Sequence, residues 1–167
     1  MVQIRFWQQS DLPYLLQTAG ITAWEITPED DKTHTTYQRV ALNAQRNVIA
    51  ILSSPYGTAI MAEDDGIPVG FLLLGIQHHH LSGAPRGYTA DIYVEPPYRG
   101  HGAGKRMHLL GEAYFKSIGL QYITNWTHAH NRLGQTVSDH HGFRRLGLMM
   151  MKELQPVARS HEAGAGN

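Results

Sequence analysis

The stretch Asp91-Ile92-Tyr93-Val94-Glu95-Pro96-Pro97-Tyr98-Arg99-Gly100-His101-Gly102-Ala103-Gly104-Lys105 decides how this chain is read. Tyr88 to Val94 reads as a strand, Gly104 to Ser117 as a helix, and the segment between joins one directly to the other. Glycines at alternate positions let the backbone turn its N–H groups toward one point, with no Cβ blocking close approach. The helix that follows adds its free N–H groups and the positive end of its dipole. Together these make an anion site, most naturally for a phosphate or pyrophosphate. Arg99, Lys105 and Arg106 add positive charge nearby.

The two common nucleotide loops do not fit. A Walker loop needs Gly, four residues, then Gly-Lys-Ser/Thr; counting back from Gly104-Lys105 lands on Arg99, and Arg106 follows the lysine. In the dinucleotide pattern G-x-G-x-x-G, Gly100 and Gly102 would need a third glycine where Lys105 stands, and Gly102 and Gly104 one where Met107 stands.

Working outward, 167 residues suit one domain with a core of its own. Hydrophobic content of 42% and charged content of 17% are those of a globular chain. Lysine plus arginine equals aspartate plus glutamate, 14 against 14, and no basic stripe interleaves with aromatics, so nucleic acid is not expected as a partner. The absence of cysteine removes a thiol nucleophile and thiolate metal sites. No basic-then-apolar leader opens the chain and no apolar run reaches the ~18 residues of a membrane span, so the expectation is a cytoplasmic protein without membrane partners.

Before the central loop, Val2 to Trp7 reads as a strand and Ser10 to Ala19 as a helix with Pro13 in its first turn. Ile21 to Asp31 reads as an acidic loop. A second helix spans about Thr33 to Ser53, where Tyr37, Val40, Ala41, Ala44, Val48, Ile51 and Leu52 make one apolar face. Thr58 to Glu63 and Ile67 to Gln77 flank Asp64-Asp65-Gly66 as a hairpin. After the central helix come a strand over Gln121 to Thr127, a short helix over Asn131 to His141 and a final strand over Arg144 to Leu154. Residues 1–154 are expected to form the domain and 155–167 a flexible tail.

Val94-Glu95-Pro96 followed by Arg99-Gly100-His101-Gly102-Ala103-Gly104 resembles the acetyl-CoA loop of the GNAT N-acetyltransferases, Gln/Arg-x-x-Gly-x-Gly/Ala after a strand ending in Val-x-Pro. Asn131 and Gly142-Phe143 are similar to the family's late Asn…Gly-Phe segment, and the element order agrees from Val2 to Leu154. The resemblance implies a single-domain α/β fold with a mixed, mostly antiparallel sheet of six to seven strands and about four helices. It also implies acetyl-CoA as cosubstrate, held by Ile92, Tyr93, Val94, the loop from Arg99 to Lys105, and Asn131. The activity implied is direct transfer of acetyl to a primary amine of a small molecule or peptide, with an amide near Val94 polarising the thioester carbonyl. Asp91-Ile92-Tyr93-Val94 with Tyr98-Arg99-Gly100 also resembles the diamine and polyamine branch, although that branch has glutamate where Ala90 stands.

An alkyl ammonium must lose a proton before it can attack, and Asp91 is the candidate base, with a water chain as the alternative. The family's proton-donating tyrosine would fall at Ser138, so Ser138, His140 and His141 are the candidates to protonate the departing thiolate. Trp24 and Glu25, expected in the loop between the first helices, and His78 and His80, expected at a strand end, are candidate acceptor contacts. His78/His80 and His128/His130 could each offer two imidazoles on one face, but no carboxylate completes a metal-ligand spacing, and no metal is expected. The apolar final strand, with Leu146, Leu148 and Met149 to Met151, suggests a homodimer. Two other readings stay open: a CoA-binding module that has lost turnover, suggested by Ser138, and a histidine-rich metal-binding protein.

Overall fold

The computed structural model describes residues 1–147. Five strands make one sheet in the order β1-β2-β3-β4-β5: β1 Gln3–Phe6, β2 Thr58–Asp64, β3 Ile67–His78, β4 Pro85–Val94 and β5 Ile123–Asn125. Neighbours are antiparallel except β4 and β5, which run parallel. The helices are α1 Leu12–Ile26, α2 Glu29–Lys32, α3 Tyr37–Leu52, α4 Ala103–Ser117 and α5 Arg132–His140.

Both faces of the sheet are covered, and for that reason β2 and β3 read as nearly unbroken apolar runs. On one face Ala59, Met61, Phe71 and Leu73 pack with Leu15 and Ala19 of α1 and Val48 of α3. On the other, Ile60, Ala62, Leu72 and Leu74 pack with Met107 and Phe115 of α4. Alternate residues of one strand thus serve two half-cores. Gly87 lies so close beneath α4 that a Cβ there would come within 2.7 Å of the Phe115 ring.

The pairing of β4 positions the site. Leu73 faces Asp91 while Leu74 faces Thr89, so Ala90 is an extra residue, a bulge in β4. Parallel pairing with β5 covers only Gly87 to Thr89 against Ile123 to Asn125. Past the bulge, residues 90–94 pair with β3 alone among the described residues, so the sheet splits there and leaves a backbone edge of β4 free.

Several expectations need correction. Ile21–Asp31 is not a loop: α1 continues through Ile26 and α2 forms from Glu29, because Ala23, Trp24 and Ile26 extend the helical run before Pro28. The second long helix starts at Tyr37, capped by the Thr36 side chain, which accepts from the Arg39 N–H. The strand expected over Gln121 to Thr127 is three residues long, its pairing with β4 ending at Thr89 among the described residues. The described residues contain five strands against the six to seven expected. Of the final strand, 144–147 are irregular and the remainder lies outside the described residues, as does the 155–167 tail.

Candidate active site

The β4–α4 loop has the geometry its glycines suggested. Gly100 and Gly102 both sit at φ +80°, and a Cβ added to either would meet nothing within 4 Å, so the space in front of the loop is open. Gly102 is the N-cap of α4 and contributes no side-chain cap, leaving the first-turn N–H groups free for an external acceptor. His101 is exposed, Ala103 is buried and anchors the helix start, and Gly104 lies near Ile92. The residues present therefore fit a pyrophosphate: a left-handed glycine pair, unpaired N–H donors and cations. The cations do not all serve it. Arg99 turns back, donating from Nε to the Val94 carbonyl at 2.7 Å and lying 5.5 Å over the Tyr93 ring. Arg106 donates to the Val2 carbonyl at 3.0 Å, which leaves Lys105 as the first-turn cation without a partner among the described residues.

Asp91 stands beside the split. The bulge turns it toward α1, where Thr22 Oγ1 donates to its carboxylate at 3.0 Å. Burial pushes this carboxyl up to about 6, against the smaller opposing effects of the Thr22 and Ile92 hydrogen bonds. Tyr88, also raised by burial and then by Asp91, is its neighbour on the strand.

One turn further along, Glu95 accepts from Tyr93 Oη at 3.0 Å and Tyr14 Oη at 3.4 Å. Both phenols are held above their ordinary range, chiefly by burial and then by Glu95. Glu25 adds a weaker negative influence on Tyr93. Trp24 and Glu25 sit in the last turns of α1, not in a loop. The Trp24 ring meets Tyr37 edge-on at 6.0 Å and carries Lys32 Nζ at 5.2 Å. The β5–α5 connection reaches the end of α1, where His130 Nε2 lies 3.0 Å from the Ile26 carbonyl.

On α5 the three proton-donor candidates part company. Ser138 Oγ donates to the Gly134 carbonyl at 2.8 Å and accepts from Asn125 Nδ2 at 2.7 Å, so its proton is committed while it ties α5 to β5. His141 turns away to stack on His108 of α4, ring centroids 4.0 Å apart, and burial lowers its pKa, which leaves little protonated imidazole at neutral pH. His140 is exposed, with Nδ1 against the Thr136 carbonyl at 2.7 Å and Nε2 unengaged. Asn131 caps α5, accepting from the Gly134 N–H at 2.9 Å.

His78 and His80 flank the tip of the β3–β4 hairpin, and His80 stacks on His79 at 4.8 Å. His128 and His130 stack at 5.1 Å. No three histidine, aspartate or glutamate side chains converge on a metal-sized site among the described residues. Thr22, Tyr14 and Glu95 were not foreseen as site residues. Thr22 sits in the stretch expected as loop, Tyr14 falls in the first helix with no role of its own in the sequence, and Glu95 reads only as the middle of Val-x-Pro. Their convergence depends on α1 crossing β4.

A shallow hollow of about 590 Å³ lies apart from these residues, between Phe6 and Trp7 and the C-terminal half of α4.

No curated protein sequence matches the chain. Among solved structures, a GCN5-related N-acetyltransferase from Ralstonia eutropha JMP134 matches with a TM-score of 0.73 at 19% identity, covering 92% of this chain and 99% of that one. An aminoglycoside N-acetyltransferase, AAC(6')-Iy in complex with CoA, matches with a TM-score of 0.68 at 20% identity over 93% of this chain and 95% of that one. The aminoglycoside 6'-N-acetyltransferase AAC(6')-IG from Acinetobacter haemolyticus matches at 0.69 and 15% identity, covering 92% and 98%. At these identities the likeness shows a shared fold. The family model of the acetyltransferase (GNAT) family matches residues 21–143, a span that holds the split strand, the glycine loop and α5, and the chain belongs to that family.

Proposed function

We propose that the chain transfers acetyl from acetyl-CoA to a primary amine by direct attack, with both substrates bound together. The observation that carries this is the coincidence of three features at one place: the open glycine cradle at the head of α4, the free edge of β4 after the bulge, and Asp91 beside that edge. Gly100, His101, Gly102, Ala103, Gly104 and Lys105 would hold the pyrophosphate, and the free edge of Ile92, Tyr93 and Val94 the pantetheine arm. Bound there, acetyl-CoA supplies the acyl carbon, the new C–N bond forming as the C–S bond breaks. A β4 amide aimed at the carbonyl oxygen stabilises the charge that develops on it.

Asp91 takes the ammonium proton. Titrating near 6, it is ionised at neutral pH yet more basic than an ordinary aspartate, as a base requires. Of the α5 candidates, His140 is the exposed imidazole, whereas His141 is stacked on His108 and Ser138 already donates to Gly134, so His140 is the proposed proton source for the departing thiolate. Trp24 and Glu25 border the acceptor, with His78 and His80 at the far rim. The neighbouring aminoglycoside acetyltransferases favour an amine acceptor. Of the residues expected at a homodimer contact, Leu146 is exposed, and Leu148 to Met151 lie outside the described residues.

The test is titration of acetyl-CoA into the protein, followed by a screen of amines for release of free CoA thiol. Binding with amine-dependent thiol release is expected. Binding without turnover on any amine would favour a CoA-binding module, and no binding would refute the proposal.

A further inference from the structure

On the face of the sheet that α1 and α3 cover, Gln77 near the end of β3 is exposed and Arg86 near the start of β4 is half-buried. Gly75 on this face still lies under Ile51 of α3, but two residues on, Gln77 reaches across β4, donating from Nε2 to Thr124 Oγ1 of β5 at 2.6 Å. Arg86 stands opposite Gln77 in the register and so shares the face, its guanidinium 5.9 Å from the Tyr122 ring centroid. Tyr122 is 61% exposed.

Arg86 is a cation without an anion. It forms no ion pair among the described residues, and its Nε is buried with no hydrogen-bond partner. A buried donor left unpaired is unfavourable, and a guanidinium is built to meet a carboxylate through two parallel N–H bonds. Turning off the Tyr122 ring presents Nε and an Nη together as such a fork. The same face carries Asp91 at the split. It therefore bears a carboxyl where the amine reacts and a guanidinium at its lower end.

The separation is fixed by register. Asp91 faces Leu73 and Arg86 faces Gln77, four residues apart on β3, or about 13 Å. A hydrogen bond of about 3 Å at each end shortens the span the ligand must cover. A chain of three extended residues spans at most about 11 Å.

We propose that the acceptor is a zwitterion about the length of a di- or tripeptide, its amine delivered to Asp91 and its carboxylate bound by Arg86. The assignment deepens the acetyl-transfer reading and rests on it. A purely polycationic acceptor would set a positive group against Arg86, so the pairing works as a filter as well as an anchor.

The experiment uses the whole protein saturated with CoA and two probes that differ only in charge, triglycine and triglycine amide. Calorimetry is expected to give roughly tenfold to hundredfold tighter binding of triglycine, the range of a charge-assisted fork. Arg86→Gln should erase that preference and leave amide binding unchanged, while Arg86→Lys should keep part of it. Equal affinity for both probes, binding of neither, or a preference that survives in Arg86→Gln overturns the assignment. Acetyl-CoA binding is measured first in the same cell. If it is present without a triglycine preference, the carboxylate assignment fails alone; if it is absent, the acetyl-transfer reading fails with it.

Discussion

Replacing Asp91 with asparagine should make the protein more stable and less active at once. Burial raises this carboxyl from the ordinary 3.8 to about 6, so the folded state binds the proton more tightly than the unfolded chain does. Stability from this group is fully present below about pH 4, where both states are protonated. It is lost as pH rises from about 4 to 6, and above that holding the ionised carboxylate in the fold is unfavourable by about 3 kcal/mol at most. Asparagine carries no such charge, though it changes the Thr22 hydrogen bond, so a net gain of about 2 kcal/mol at pH 7.5 is the working figure. For a chain of this size that is about 4–8 °C in Tm. The gain should vanish in melts at pH 4. Turnover should fall by about 10²–10⁴-fold, the usual contribution of a positioned base. The wild-type profile of kcat/KM should carry an acidic limb near pH 6 that is absent in the variant. Thermal melts at two pH values and a rate profile from pH 5 to 9 measure all three. An asparagine variant that is less stable at pH 7.5, or that keeps its rate and its acidic limb, would refute the account of Asp91 as a strained base.

Gly102→Asp puts a negative, left-handed residue into the anion cradle and should weaken acetyl-CoA binding at least a hundredfold by calorimetry. Gly83→Asp, at φ +68° on the hairpin tip with nothing within 4 Å, is the strain control and should leave binding unchanged. Gly87→Ala drives a methyl to within 2.7 Å of the Phe115 ring and should lower stability by about 1–3 kcal/mol in urea. Arg5→Ala strips the partner from Asp11, whose carboxylate it meets at 2.7 Å with that side chain 4% exposed, and should cost about 2–3 kcal/mol. Because Arg5 lowers the Asp11 pKa, the wild-type advantage over that variant should be present at neutral pH and disappear as pH falls below the ordinary 3.8. Ser138→Ala should keep turnover within about threefold, whereas His140→Ala should depress it by about 10²-fold or more; the reverse result would return the proton donor to Ser138.

The glycine loop was legible because its meaning is local. Gly100, Gly102 and the helix start act through backbone N–H groups, which need only the right φ angles and the neighbouring helix. The two long apolar strands were legible for the same kind of reason: continuous runs such as Val69 to Leu74 imply cover on both faces. Their alternate residues then divide between α1 with α3 and α4. The misreadings lie where local signals compete. Pro28 and the acids around it suggested a loop from Ile21, but packing against α3 and β4 carries α1 on to Ile26 and places Thr22 under Asp91. Seven residues after Asn131, Ser138 was singled out by spacing, yet spacing could not show that its hydroxyl already donates to the Gly134 carbonyl.

By itself, then, the sequence determined what the short-range backbone can encode: the alternation of strands and helices, the anion cradle, and the family to which such a cradle belongs. The tertiary structure decided everything that depends on one element crossing another. The Ala90 bulge opens β4 to a ligand, α1 brings burial and Thr22 to Asp91, and four residues of register separate Arg86 from the reacting end. Charge, burial and distance at a site are sums over groups far apart in the chain, and no single stretch of sequence contains them.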